Sequence, residues 1–116
     1  MKTIYTYKSD CNALPVCFDL KEIIEIIFPK SKLTKVNHAD FSSVGFVDGK
    51  LITEDASYDI SFGSLTEREI QIAIEAESSV ADLIIAKVIA IYESRKDAKG
   101  NIHLLERKFE DKTYPS

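Results

Sequence analysis

A chain of 116 residues with 45 % apolar and 29 % charged residues and a net charge of −4 has the balance of one globular domain, which excludes a disordered or low-complexity polymer. The longest strongly apolar stretch, Val80 to Tyr92, carries Asp82 and Lys87 and is far shorter than the ~20 residues a membrane span needs. Residues 1–8 hold no continuous apolar run of the signal-peptide kind, so no membrane association and a cytoplasmic location are expected.

Lys2 to Lys8 alternates and is rich in β-formers, which predicts a short strand. Ser9 to Pro15 reads as a loop from its Ser, Asp, Asn and Pro. This stretch and the next hold both cysteines, Cys11 and Cys17. Two cysteines that are not spaced C-x-x-C and have no histidine nearby predict free thiols and no zinc site.

A first helix is signed by Asp19 as cap, with Glu22 three residues on to complete a capping box. Phe18 and Ile23 fit the two sides of a hydrophobic staple. Leu20, Ile23, Ile24, Ile27 and Phe28 form one apolar stripe at helical spacing, and Pro29 ends it. A basic loop with Lys30, Lys32 and Lys35 is expected to follow.

Phe41 to Glu77 reads as a β-meander. Val44–Val47 and Lys50–Thr53 flank Asp48-Gly49, a strong hairpin signal because a type I′ turn needs positive φ at both central residues. Glu54-Asp55-Ala56 predicts the next turn. Tyr58, Ile60 and Phe62 then alternate with polar residues as far as Gly63.

Residues 64–77 carry two competing signals. Ser64-x-x-Glu67 resembles a capping box, yet residues 69–77 alternate with period two. A helix would scatter Ile70, Ile72 and Ile74 around its circumference, whereas a strand gathers them on one face. The strand is the preferred reading.

Ser78-Ser79 opens a second helix, with Ser79-x-x-Asp82 as its cap and residues 79–97 as its extent. Val80, Leu83, Ile84, Val88 and Ile91 form its main stripe. Ile85, Ile89 and Tyr92 widen the stripe until little of the surface is polar, which predicts burial on several sides or contact with a second subunit. Arg95, Lys96 and Gly100 suit its C-terminal end, and Asn101 to Phe109 predicts a last strand.

The expected architecture is α+β, one domain over residues 1–116. A mostly antiparallel sheet of four to six strands, with a central β-meander, carries two helices on one face in the order β-α-β-β-β-β-α-β.

The charge is unevenly spread. Residues 39–93 hold eleven acids against three bases, whereas the segments on either side each carry a net +2. If Ile70, Ile72 and Ile74 point inward, Glu69, Gln71, Glu75 and Glu77 point out, and Asp59 points out opposite Ile60. Such a face repels nucleic acid and attracts a basic partner.

Catalytic signals are weak by comparison. Cys17 with His38 or His103 is a conceivable nucleophile pair, but any small protein with both residue types would match. Ser42-Ser43-Val44-Gly45 lacks the flanking glycine of a nucleophile elbow, and no phosphate-binding glycine loop occurs. Asp48, Glu54, Asp55 and Asp59 do not follow a calcium-loop spacing. Lys30, Lys32 and Lys35 are too few and lack the interleaved aromatics of a nucleic-acid surface. No enzyme activity, cofactor or metal is expected.

The expected function is a stoichiometric protein-binding module: a small acidic inhibitor of the immunity-protein type that neutralises a basic partner such as a nuclease toxin. Asp59, Glu69, Gln71, Glu75 and Glu77 are its expected contact residues. The alternatives are a homo-oligomeric structural or assembly subunit joined through helix 79–97, and a small-molecule binder or enzyme with an unfamiliar site.

Overall fold

A computed structural model describes residues 1–37, 45–95 and 101–110. In chain order the elements are β1 (Lys2–Ser9), α1 (Ala13–Ile27), β2 (Lys32–Asn37), β3 (Gly45–Ile52), β4 (Ser57–Thr66), β5 (Glu69–Ile74), α2 (Ser78–Ser94) and β6 (Ile102–Glu110). The six strands form one antiparallel sheet in the order β2-β3-β4-β5-β1-β6, so β1 is clasped between β5 and β6. The expected α+β class and element order are what the fold has.

Strand alternation sorts the side chains onto two faces. Thr3, Tyr5 and Tyr7 of β1, Val47 and Leu51 of β3, and Ile60 and Phe62 of β4 are buried beneath the helices, as are Ile70, Ile72 and Ile74 of β5. Burial of each isoleucine stabilises the fold by roughly 1.5–3 kcal/mol. From the other side, α1 supplies Val16, Cys17, Leu20, Ile23 and Ile24, and α2 supplies Ala81, Ile84, Ile85, Val88 and Tyr92. Among the described residues no helix lies over the second face of the sheet.

The helices run antiparallel. Glu22 of α1 lies 3.9 Å from Arg95 at the end of α2, and Ile27 and Phe28 at the end of α1 meet Leu83 and Ile84 near the start of α2. The wide apolar girth of α2 is mostly spent on this double contact, since Ile85 and Tyr92 are buried and Ile89 is half-buried. Leu83 remains 74 % exposed.

Several local expectations are overturned. α1 begins six residues before Asp19: Asn12 is the cap, its side chain accepting from the Leu14 N–H at 3.0 Å. Pro15 is accommodated in the first turn, where its missing N–H has no helical partner to lose. Asp48-Gly49 is no turn but the middle of the continuous strand β3. Gly49 has φ +154°, and a Cβ there would drive into the Lys32 carbonyl oxygen. It serves the close approach of β2, not a hairpin reversal.

The basic stretch after Pro29 is likewise strand β2 from Lys32 onward. β5 ends at Ile74, so Glu77 leaves the sheet and occupies the cap position of α2 without a side-chain cap hydrogen bond. Asp82, expected to support that cap, turns toward the sheet instead. Gly100, Lys96 and the Ser42-Ser43 pair lie outside the described residues.

Candidate docking faces

The helix-free face of the sheet is built by strand register. Asp48 and Lys50 of β3 stand opposite Ser61 and Asp59 of β4, and Ser61 stands opposite Ala73 of β5. Ser61, Gly63 and Ala73 have short side chains or none, so they form the floor of a shallow trough. Asp48, Asp59 and Glu75 border that floor together with Lys2, and Gln71 and Leu65 border its continuation.

Four of the five expected contact residues, Asp59, Glu69, Gln71 and Glu75, share this face. Glu77 does not, because the chain has already turned into α2. Asp59 and Glu75 are adjacent: the Glu75 backbone N–H donates to the Asp59 carbonyl at 2.8 Å. Asp48 belongs with them and is missed by sequence reasoning, which places it in a turn.

The face is more mixed in charge than the sequence suggests. Lys50 Nζ lies 2.6 Å from Asp59 Oδ1, and Lys8 of β1 stands opposite Glu69. Across β3–β5 four carboxylates face one lysine. Lys32 on β2 and Lys2 and Lys8 on β1 border them. The field is therefore an acidic strip between basic margins, which favours a partner whose positive charge is concentrated in one narrow segment.

A second concavity lies on the helix side. It is a cleft of about 680 Å³ with a floor of Ile27, Phe28, Tyr58, Val80 and Ile84. Glu54 and Asp55, in the β3–β4 turn, form one wall, and Leu83 and Lys87 of α2 form the other. Lys87 Nζ is 5.9 Å from the centre of the Phe28 ring. The sequence marks Leu83 only as one member of a wide apolar stripe. Which member stays exposed depends on where α1 lands.

Among the described residues the candidate catalytic groups do not converge. Cys17 is fully buried, and burial pushes its thiol up to about 12, so it is a protonated core side chain at neutral pH. His103 is on the helix-free side of the sheet, 3.4 Å from Asp10, with the sheet between it and Cys17. His38 lies outside the described residues. Asp48 and Asp59 point from one face while Glu54 and Asp55 sit in the turn beyond it. Among the described residues no three His, Cys, Asp or Glu side chains gather as metal ligands would. Lys32 and Lys35 also part company, since Lys35 reaches over the Phe18 ring at 4.2 Å on the helix side.

One polar group joins three elements. Asp82 of α2 accepts from the Tyr5 hydroxyl of β1 at 2.5 Å and from Arg107 of β6. The Arg107 hydrogen bond and that of Tyr5 hold the Asp82 carboxyl below its ordinary range. Burial, then the hydrogen bond to Asp82, pushes the Tyr5 phenol upward. This is a strap for the edge strand.

Among the described residues no helix is long and apolar enough to cross a membrane. No family model, curated protein or solved structure matches the chain, so the reading of its faces rests on their geometry alone.

Proposed function

We propose that the chain is a stoichiometric protein-binding module, a small inhibitor that captures a basic protein partner in the manner of an immunity protein. The observation that supports this most is the trough over β4 and β5, a helix-free floor of Ser61, Gly63 and Ala73 edged by Asp48, Asp59 and Glu75. Short side chains let a partner segment approach the sheet closely, and the carboxylates offer charge-assisted acceptors to its lysines and arginines. The flanking lysines reject a partner that is basic over a broad area and so confer selectivity. The work of the molecule is occupancy, carried out in the cytoplasm without catalysis.

The test is affinity capture from the native host with the intact chain at low and high salt, beside a Glu69→Lys/Glu75→Lys variant. The expected result is a basic protein held by the wild type, released by salt and not held by the variant. Capture that is indifferent to both salt and charge reversal overturns the proposal, as does capture of nothing.

A second reading, a self-associating structural or assembly subunit, is favoured by Leu83, a large apolar side chain left exposed on α2 at the rim of an apolar cleft. The two readings use opposite sides of the sheet.

A further inference from the structure

Resting on that second reading, we infer that the cleft between α2 and the β3–β4 turn is an isologous dimer site, in which Leu83 of each copy fills the cleft of the other. The cleft has the two properties that a two-fold contact requires. It carries both a knob and a hole: Leu83 stands 74 % exposed on the rim, and the floor beside it is lined by Phe28 and Tyr58. A contact related by a two-fold axis is made twice, so one surface has to supply both halves.

The charges obey the same rule. Lys87 lies one helical turn beyond Leu83, on the α2 wall, and Glu54 and Asp55 lie on the opposite wall. Among the described residues none of these three side chains takes part in an ion pair. A two-fold axis that seats each Leu83 in the other copy's cleft brings Lys87, one turn along α2, toward the other copy's acidic turn. One exchange of subunits thus satisfies the apolar rim, the cation and the anions together. A foreign partner would need an apolar anchor with a basic group on one side and an acidic group on the other. A second copy already presents that pattern.

Burial of Leu83 against aromatic rings supplies the apolar centre, and the Lys87 contacts at the rim set the register. The helix-free face remains open in such a dimer, so self-association and partner capture are independent.

The test is sedimentation equilibrium of the intact chain from about 1 to about 100 μM, the range over which a modest interface dissociates. The expected result is a monomer–dimer equilibrium weakened at least about tenfold by Leu83→Glu or by Lys87→Glu. Joining Lys87→Glu to Glu54→Lys and Asp55→Lys is expected to restore the dimer, because the charges are exchanged and the knob is kept. Circular dichroism of each variant checks that the monomer still folds. A dimer untouched by Leu83→Glu and Lys87→Glu overturns the cleft as the interface while leaving self-association in place. A monomer throughout the range overturns both.

Discussion

Arg107 on the edge strand β6 grips Asp82 on α2 through two parallel hydrogen bonds, Nε to Oδ1 at 2.8 Å and Nη2 to Oδ2 at 2.6 Å. The same Oδ1 accepts from the buried Tyr5 hydroxyl, so one carboxylate ties β6, β1 and α2 together. Outside this strap β6 has little holding it from above: Ile102 is buried, but Leu104 and Phe109 are exposed. Tyr5→Phe removes one hydrogen bond and leaves no polar atom stranded on the tyrosine side, so a loss of about 0.5–1.5 kcal/mol is expected in urea unfolding. Hydrogen exchange should quicken first along β6, because that strand is an edge strand and is the one the weakened strap holds.

The strap also gives a direction to acid denaturation. The folded Asp82 pKa lies below its ordinary 3.8, chiefly through Arg107 and then Tyr5. The contribution is therefore complete above 3.8 and is lost as pH falls through the lower folded value. Asp82 is half exposed, so solvent screens the effect and keeps it small. Wild-type stability should fall more steeply on acidification below 3.8 than that of Asp82→Asn, measured by thermal melts across the acid range. Parallel slopes would contradict the assignment.

Gly49→Ala should destabilise the fold by roughly 2 kcal/mol, since it combines an unfavourable positive φ with a clash against backbone. The Lys32 carbonyl cannot swing aside as a flexible side chain would. Chemical denaturation of the single variant checks this, and near-wild-type stability would mean that β2 is not held where it is described.

The two thiols should differ sharply in reactivity. Cys17 is fully buried with its thiol pushed up to about 12, whereas Cys11 is half-buried and near the surface. A thiol reagent at neutral pH is expected to label Cys11 in the native protein and Cys17 only after unfolding. Equal labelling of both, followed by mass spectrometry, would refute the buried placement of Cys17.

The two faces of β5 can be told apart by neighbouring substitutions. Ile72→Ala should cost about 2–5 kcal/mol, because it opens a cavity under the helices. Gln71→Ala, one residue earlier on the helix-free face, should stay within about 0.5 kcal/mol of wild type. Urea unfolding of the pair gives both numbers, and comparable losses would mean that the helix-free face is itself covered.

These outcomes bear on what the residues alone disclosed. The period-two run from Glu69 to Ile74 was decisive over the rival capping-box signal, since burial of three isoleucines outweighs a local cap. The helix stripe from Leu20 to Phe28 was equally plain. The start of α1 was obscured because Asn12 and Pro15 suit a loop as well as a first turn. Asp48-Gly49 misled for a related reason: a glycine at positive φ serves a tight reversal or a close strand approach, and only the position of Lys32 distinguishes them. The meander count agreed with the fold although two of its strands were differently placed. Alternation puts Asp59, Glu69, Gln71 and Glu75 on one face, and the fold has them there. It could not register the lysines that strand order brings beside them, nor the cleft, which exists only once α1 and α2 meet the β3–β4 turn.

Because β1 is inserted between β5 and β6, it is synthesised ahead of both of its neighbours and waits for them while sixty or so residues follow it. β2, β3, β4 and β5 can zip in sequence as they emerge, but the seam at β1 closes only when residues 102–110 are available. Translation thus leaves a long interval in which Tyr5, Tyr7, Ile70 and Ile72 lack part of their cover. Nascent chains arrested before β6 are therefore the species most exposed to chaperones and to aggregation.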